Sequence, residues 1–188
     1  MITIYKQSII NHSLIVCPCY FSVIDMLCGL VSHSSGIKML TQDSLLRGKI
    51  TPGGLNEVFQ VGPGVGQSAS FLICASDEGL AMLQSDNVLR GKIALNGVVQ
   101  EGDFAGYSVL FVICSSAKGR SLLLSDHDLR GKITSEGLNA INTYGNASIS
   151  ALSLLRSSPD GQALLESDQV LSSKISSELV PGLSMRPR

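Results

Sequence analysis

The segment Leu46-Arg47-Gly48-Lys49-Ile50 returns as Leu89-Arg90-Gly91-Lys92-Ile93 and as Leu129-Arg130-Gly131-Lys132-Ile133, then decays to Leu171-Ser172-Ser173-Lys174-Ile175. The leading leucines are 43, 40 and 42 residues apart. Ten residues before each stands a glycine (Gly36, Gly79, Gly119, Gly161), and three before stands an aspartate (Asp43, Asp86, Asp126, Asp168). An apolar pair lies between them every time: Met39-Leu40, Met82-Leu83, Leu122-Leu123 and Leu164-Leu165. A fixed period near 40 residues marks stacked supersecondary units, because one such unit cannot bury its apolar face alone.

Each unit reads as short helices with their own start signals. Ser68, Ser108 and Ser150, with Asp25 in the first unit, are N-cap residues whose side-chain oxygen can accept a free amide of the first turn. Apolar runs follow, Phe71-Leu72-Ile73-Cys74 and Phe111-Val112-Ile113-Cys114. Ser158-Pro159-Asp160-Gly161 then places a cap, a proline at the first helical position and an acid where the helix dipole favours it. His33, Ser76 and Ser116 hold the same slot as Ser158. The recurrent Asp caps a third, shorter helix carrying Leu-Arg-Gly-Lys-Ile, and Thr51-Pro52 and Thr134-Ser135 start a fourth. The stretches 57–67, 99–107 and 140–147 have no helical periodicity and read as loops; no sheet is expected beyond hairpin-like loop tips.

The chain is therefore expected to be all-α: a short α-solenoid of about four stacked helix-turn-helix repeats. The repeats span residues 23–178, at about 23–66, 67–106, 107–147 and 148–178. Residues 1–22 lie outside the register, as a cap, a disordered start or the remnant of a longer ancestral chain, and 179–188 form a degenerate tail. Six or so large apolar side chains per unit offer on the order of 10 kcal/mol before conformational entropy is charged, so a single unit is marginal.

The units resemble ankyrin-type repeats. Residues 68–75 look like the Thr-Pro-Leu-His-x-Ala helix start, Gly79 to Leu83 like the second-helix motif, and Leu55-Asn56 or Leu138-Asn139 like the closing Val-Asn. The period is longer than the usual ankyrin unit, the Pro and His of the first motif are absent, and the Leu-Arg-Gly-Lys-Ile turn is extra. This long form is similar to arrays in effectors of intracellular bacteria, which implies a host protein as partner and delivery into a host cell. Armadillo and HEAT arrays also fit the period.

Composition removes several classes of function. The 188 residues hold 14 basic and 15 acidic side chains for a net charge of −1, against the basic face expected of a phosphate-neutralising protein. A hydrophobic share of 44% excludes a wholly disordered chain. Five cysteines, an odd number, read as reduced cytosolic thiols. Cys17-Pro18-Cys19 has no second Cys/His pair at zinc spacing, so no metal is expected. In 61–68 the first glycine and the lysine of a phosphate-binding loop are Val61 and Gln67, so no nucleotide cofactor is expected. Asp126-His127-Asp128 suggests acid–base chemistry, but the slot of His127 is Ser44, Asn87 and Gln169 elsewhere, as suits a solvated turn. The recurrent Arg/Lys pairs, with Lys174 alone in the last unit, offer either a basic stripe or partners for the recurrent Asp and for helix-end carbonyls; the recurrent Asp equal the recurrent Lys in number, which favours the second.

The expected function is non-enzymatic: a monomeric, cytoplasmic protein–protein interaction module presenting variable loops to a partner protein. No catalytic, cofactor or metal residue is expected, nor a nucleic-acid partner. The partner-binding candidates are Glu57, Phe59, Gln60, Glu101, Asp103, Phe104, Asn142 and Tyr144, chosen by loop position and type. The rival readings are a structural, self-associating segment of a larger assembly and a membrane anchor through residues 9–31. Pro18 and Asp25 inside that apolar stretch weigh against the anchor.

Overall fold

The computed structural model describes residues 23–60, 64–144 and 147–176. They fold as an all-α protein with one two-stranded hairpin. The first unit holds α1 (Val23–Val31), α2 (Ser34–Gln42), α3 (Ser44–Lys49) and α4 (Pro52–Asn56); the second α5 (Ala69–Cys74), α6 (Asp77–Ser85) and α7 (Asn87–Gly91). The third holds α8 (Val109–Ser115), α9 (Ala117–Ser125), α10 (His127–Gly131) and α11 (Ser135–Asn139); the fourth α12 (Ala151–Arg156), α13 (Pro159–Ser167) and α14 (Gln169–Ser176). Among the described residues no helix is long and apolar enough to cross a membrane. Cys17-Pro18-Cys19, most of the 9–31 stretch and the tail lie outside the described residues.

The caps of the second, third and fourth units fall where the sequence puts them, whereas Asp25, expected to cap the first unit, lies inside α1. Ser68 accepts from the Phe71 amide at 3.2 Å, Ser108 from Phe111 at 3.1 Å, Ser76 from Gly79 at 3.0 Å and Ser116 from Gly119 at 2.9 Å. His33 stands at the N-cap of α2 but makes no capping bond with its side chain. The second unit has no fourth helix. Its leucine-to-leucine spacing is three residues shorter, 40 against 43, and Ile93-Ala94-Leu95 replaces Ile50-Thr51-Pro52-Gly53-Gly54-Leu55. The cap and first turn are lost, yet Leu95 stays buried like Leu55 and Leu138.

Equivalent helices pack on one another in series: α1, α5, α8 and α12 form one row, α2, α6, α9 and α13 a second, and α3, α7 and α10 a third. The core runs through all of them as one cluster that includes Leu40, Leu83 and Leu123 with Ile73 and Ile113. Within a unit the first two helices touch backbone to backbone. A Cβ on Gly79 would lie 2.7 Å from the Ile73 carbonyl carbon, and Gly36, Gly119 and Gly161 meet Leu30, Ile113 and Leu155 in the same way.

The recurrent charges join one unit to the next. Asp86, Asp126 and Asp168 each have two tasks. Oδ1 of Asp86 accepts the Leu89 amide at 2.9 Å and caps α7, while Oδ2 accepts Nε of Arg47 from the preceding unit at 2.6 Å. Arg90 bonds Asp126 and Arg130 bonds Asp168 in the same manner. The same arginines close the second helix of their own unit: Nη1 of Arg90 donates to the carbonyls of Leu83 at 2.6 Å and Gln84 at 3.2 Å. The lysines reach backwards, Lys92 to the Ile50 carbonyl at 2.7 Å and Lys132 to that of Gly91 at 2.5 Å. Arg47, Arg90, Arg130, Lys92, Lys132 and Lys174 are thus engaged inside the framework.

Candidate interaction surface

The segments between units are fingers held at their base by a strand-like pairing onto the next cap. Val58 pairs with Ser68, Val98 with Ser108, and Ile141 with Ser150. The third finger extends this into a hairpin, β1 (Ile141–Tyr144) and β2 (Ala147–Ser150), antiparallel with Asn142 opposite Ile149. The first two close by matching bonds: the Phe59 amide to the Gln67 carbonyl at 2.8 Å, and the Val99 amide to that of Tyr107 at 2.9 Å. Neighbouring fingers touch. The Gln100 amide donates to the Gly66 carbonyl at 2.7 Å. Gly66 has φ 79° and a Cβ there would meet the Glu101 amide nitrogen at 2.6 Å, so only glycine fits between them.

Alternation along each finger decides which side chains face outward. Phe59, Val99 and Asn142 share one register position and all are buried. Val58, Val98 and Ile141 share the position before it, and there Val98 and Ile141 are exposed, Ile141 to 68%. Of the candidate residues, Glu57, Gln60, Glu101, Asp103 and Phe104 are exposed. Phe59 and Asn142 are corrected to interior positions, and the side chain of Tyr144 lies outside the described residues. Gln60 folds back onto the Val58 carbonyl at 3.1 Å.

Phe104 carries the most distinctive geometry. Its ring is 43% exposed, yet it packs at a centroid distance of 5.9 Å on Phe71 and 5.8 Å on Tyr107, which in turn meets Phe111 edge-on at 4.9 Å. A chain of four aromatic rings thus runs from the core to the finger edge. Residues 57–67, 97–107 and 140–149 contain three carboxylates, Glu57, Glu101 and Asp103, and no Lys, Arg or His. Sequence reading missed Val98 and Ile141, although each stands two residues after the Asn of Leu-Asn. It also missed a ridge on the third helices, where Leu45, Val88 and Val170 are exposed at one register position that Asp128 holds in the third unit.

Asn142 is a polar residue in an apolar slot. Its Nδ2 donates to the Ala140 carbonyl at 3.0 Å, but Oδ1 is buried without a partner. Leaving such an acceptor unpaired costs about 1–3 kcal/mol. Replacing Asn142 by Val, the residue of the second finger, is expected to stabilise the protein by about 1 kcal/mol. A denaturation midpoint at or below that of the wild type would contradict this.

Burial pushes the Cys74 and Cys114 thiols up to about 12, so neither is a thiolate at neutral pH. His127 is exposed. Among the described residues no group of three or more His, Cys, Asp or Glu is placed to hold a metal ion. In the Gly-rich loop, a Cβ on Gly64 would meet Cys28 Sγ at 2.8 Å and the Phe59 ring at 3.1 Å, which seats that loop on the core. Comparison with protein-family models, with curated proteins and with solved structures finds no match for this chain.

Proposed function

We propose that this chain is a protein-interaction module: an ankyrin-like stack whose finger edge takes a cationic segment of another protein with an apolar side chain seated on Phe104. The observation that carries this reading is the exposed Phe104 ring, buttressed by Phe71 and Tyr107, beside Glu101 and Asp103 on an edge without cations. A rigidly backed aromatic loses little entropy on binding, and aromatics supply a large share of interface energy. The framework lysines and arginines are spent on carbonyls and on Asp, which speaks against a basic stripe for phosphates.

Selection of random displayed peptides on the immobilised protein tests it. Lys/Arg-rich peptides with an apolar residue are expected to be enriched. Phe104→Ala is expected to weaken the best of them roughly 30-fold, the scale of a 2 kcal/mol interface residue. Glu101→Gln with Asp103→Asn is expected to slow association and flatten its salt dependence. Peptides that bind both variants as well as the wild type would refute the reading. The ridge of Leu45, Val88 and Val170 supports a second reading, self-association, which predicts a concentration-dependent oligomer that Val88→Asp abolishes.

A further inference from the structure

Asn56, Asn96 and Asn139 hold one register position, where the chain leaves the framework for each finger. Two of the three are tied down. Asn56 ends α4, and its Nδ2 donates to the Pro52 carbonyl at 2.7 Å and to that of Lys92 at 2.9 Å. Its Oδ1 accepts from the Ser70 hydroxyl at 2.7 Å and the Ala94 amide at 2.9 Å. Asn139 ends α11 and donates to the Ser135 carbonyl at 3.0 Å. The main-chain amide that follows each is committed as well, Glu57 to the Gly53 carbonyl at 2.9 Å and Ala140 to that of Glu136 at 2.8 Å. Asn96 differs on every count. The second unit has no fourth helix, so Asn96 lies in an exposed turn, and its side chain makes no hydrogen bond among the described residues. The residue after it is glycine, the chain's only Asn-Gly pair. The Gly97 amide reaches the Ala94 carbonyl only at 3.4 Å, beyond the range of a good hydrogen bond.

We propose that Asn96-Gly97 is a self-modification site at the root of the second finger. The Gly97 nitrogen loses its proton and attacks Cγ of Asn96; the Cγ–Nδ2 bond breaks and ammonia leaves, closing a succinimide ring. Water then opens the ring. Addition at the side-chain carbonyl gives aspartate, and addition at the main-chain carbonyl gives isoaspartate, whose main chain runs through the former side chain. Water in and ammonia out balance the change, with no oxidant or reductant. Glycine favours the attack because no Cβ screens its nitrogen. The fold itself does not demand glycine here: its φ is not positive, and a Cβ would stand 3.5 Å from the Ala94 carbonyl oxygen and 3.8 Å from Val109, ordinary contacts. The product lies where it matters. Asn96 Oδ1 occupies the space that a Cβ on Gly137 would need, so the new carboxylate forms against the third unit. On either side of residue 96 the chain pairs with α8: the Leu95 carbonyl accepts the Leu110 amide at 2.8 Å, and that of Gly97 accepts the Val109 amide at 3.0 Å. Isoaspartate inserts one extra carbon into the main chain between these two bonds, which cannot then both persist. The finger bearing Glu101, Asp103 and Phe104 starts from this point, so the modification regulates the edge assigned to partner binding, a consequence that rests on that reading.

Peptide mapping by mass spectrometry of the full-length chain, aged in mildly alkaline buffer, tests this without any partner, so its outcome is separate from that of the finger edge. Asn96 is expected to convert, chiefly to isoaspartate, at a rate that rises with hydroxide because the Gly97 nitrogen must lose its proton. Asn56 and Asn139 are expected to convert about tenfold or more slowly, since their tethers hold the reacting atoms apart. Gly97→Ala, which fits the fold, is expected to slow conversion at Asn96 about tenfold. Hydrogen exchange at the Val109 and Leu110 amides is expected to be roughly tenfold faster in the aged protein than in the fresh one. Asn96→Gln, which resists this ring closure, should age with no such change, and it serves in place of Gly97→Ala if that variant does not fold. An Asn96 that stays intact in the folded chain would overturn the inference, as would equal rates at Asn56 or undiminished conversion in Gly97→Ala. Exchange at Val109 and Leu110 that is unaltered by ageing, or that quickens equally in Asn96→Gln, would overturn the link to the finger.

Discussion

Gly119→Ala is expected to destabilise the protein by about 3 kcal/mol, the upper end for forcing atoms into a packed interior. The new Cβ would lie 2.8 Å from the Ile113 carbonyl carbon and 2.9 Å from its Cα. These are backbone atoms of α8, so no side-chain rotamer change can relieve the overlap; α8 and α9 must move apart. Alanine's better helix propensity opposes this by only about 1 kcal/mol and does not decide the sign. Gly79→Ala, against Ile73, should behave alike. Gly91→Ala supplies the contrast. Gly91 also recurs, as Gly48 and Gly131, but a Cβ there meets nothing within 4 Å and its φ is not positive. That substitution is expected to stabilise by about 0.4–1 kcal/mol through the unfolded chain's lost entropy. Urea midpoints for the three variants check the pattern. Equal effects at Gly91 and Gly119 would show that helix crossing is not what selects glycine.

The contrast between those two glycines marks where sequence reading stops. The register of Gly119, Leu122-Leu123, Asp126 and Leu129 was legible because each recurs at a fixed offset, and the structure gives every one a repeated contact. Ser68, Ser108 and Thr134 were legible as caps because hydroxyls before apolar runs have few other uses. The fingers were not legible in the same way. Their tips share no motif, so Phe59 read as a loop aromatic and Asn142 as a surface amide. What placed both inside is a shared offset of three residues from Asn56 and Asn139, which only the pairing onto Ser68 and Ser150 makes visible. The hairpin at 141–150 was legible only as one of several hairpin-like loop tips, because four alternating residues are too few to show a period of two. The direction of the ion pairs was half legible: equal numbers of recurrent Asp and Lys implied pairing of the basic residues with Asp, but the Arg47-to-Asp86 link across units follows from how α3 stacks on α7.

Arg90→Ala is expected to cost about 3 kcal/mol, because it breaks two junctions at once. The Leu83 and Gln84 carbonyls at the end of α6 lose their donor, and Asp126 keeps a largely buried charge without its cation. Arg90→Lys should recover little, since one ammonium cannot span Asp126 and the Leu83 carbonyl as the guanidinium fork does. The exposed pair Lys118–Asp77 at 2.7 Å is the control, and Lys118→Ala should stay within about 0.5 kcal/mol of the wild type. Acid sharpens the test. Burial alone would raise the Asp126 carboxyl, but the Leu129 amide, the Arg90 hydrogen bond and charge, and the Asp128 amide outweigh it and hold the carboxyl below its usual range. Asp86 and Asp168 are lowered likewise, Asp168 with the Arg130 bond as its foremost stabiliser. A carboxyl lowered on folding contributes stability that is complete above the unfolded pKa, about 3.9, and is lost as pH falls through the folded value. The wild type should therefore lose stability steeply below about pH 4. Asp126→Asn, which keeps an oxygen to cap α10 but carries no charge, should lose less over the same interval. Parallel stability curves for the two proteins from pH 7 to pH 2.5 would show that the Arg–Asp links do not hold the units together, whatever their geometry.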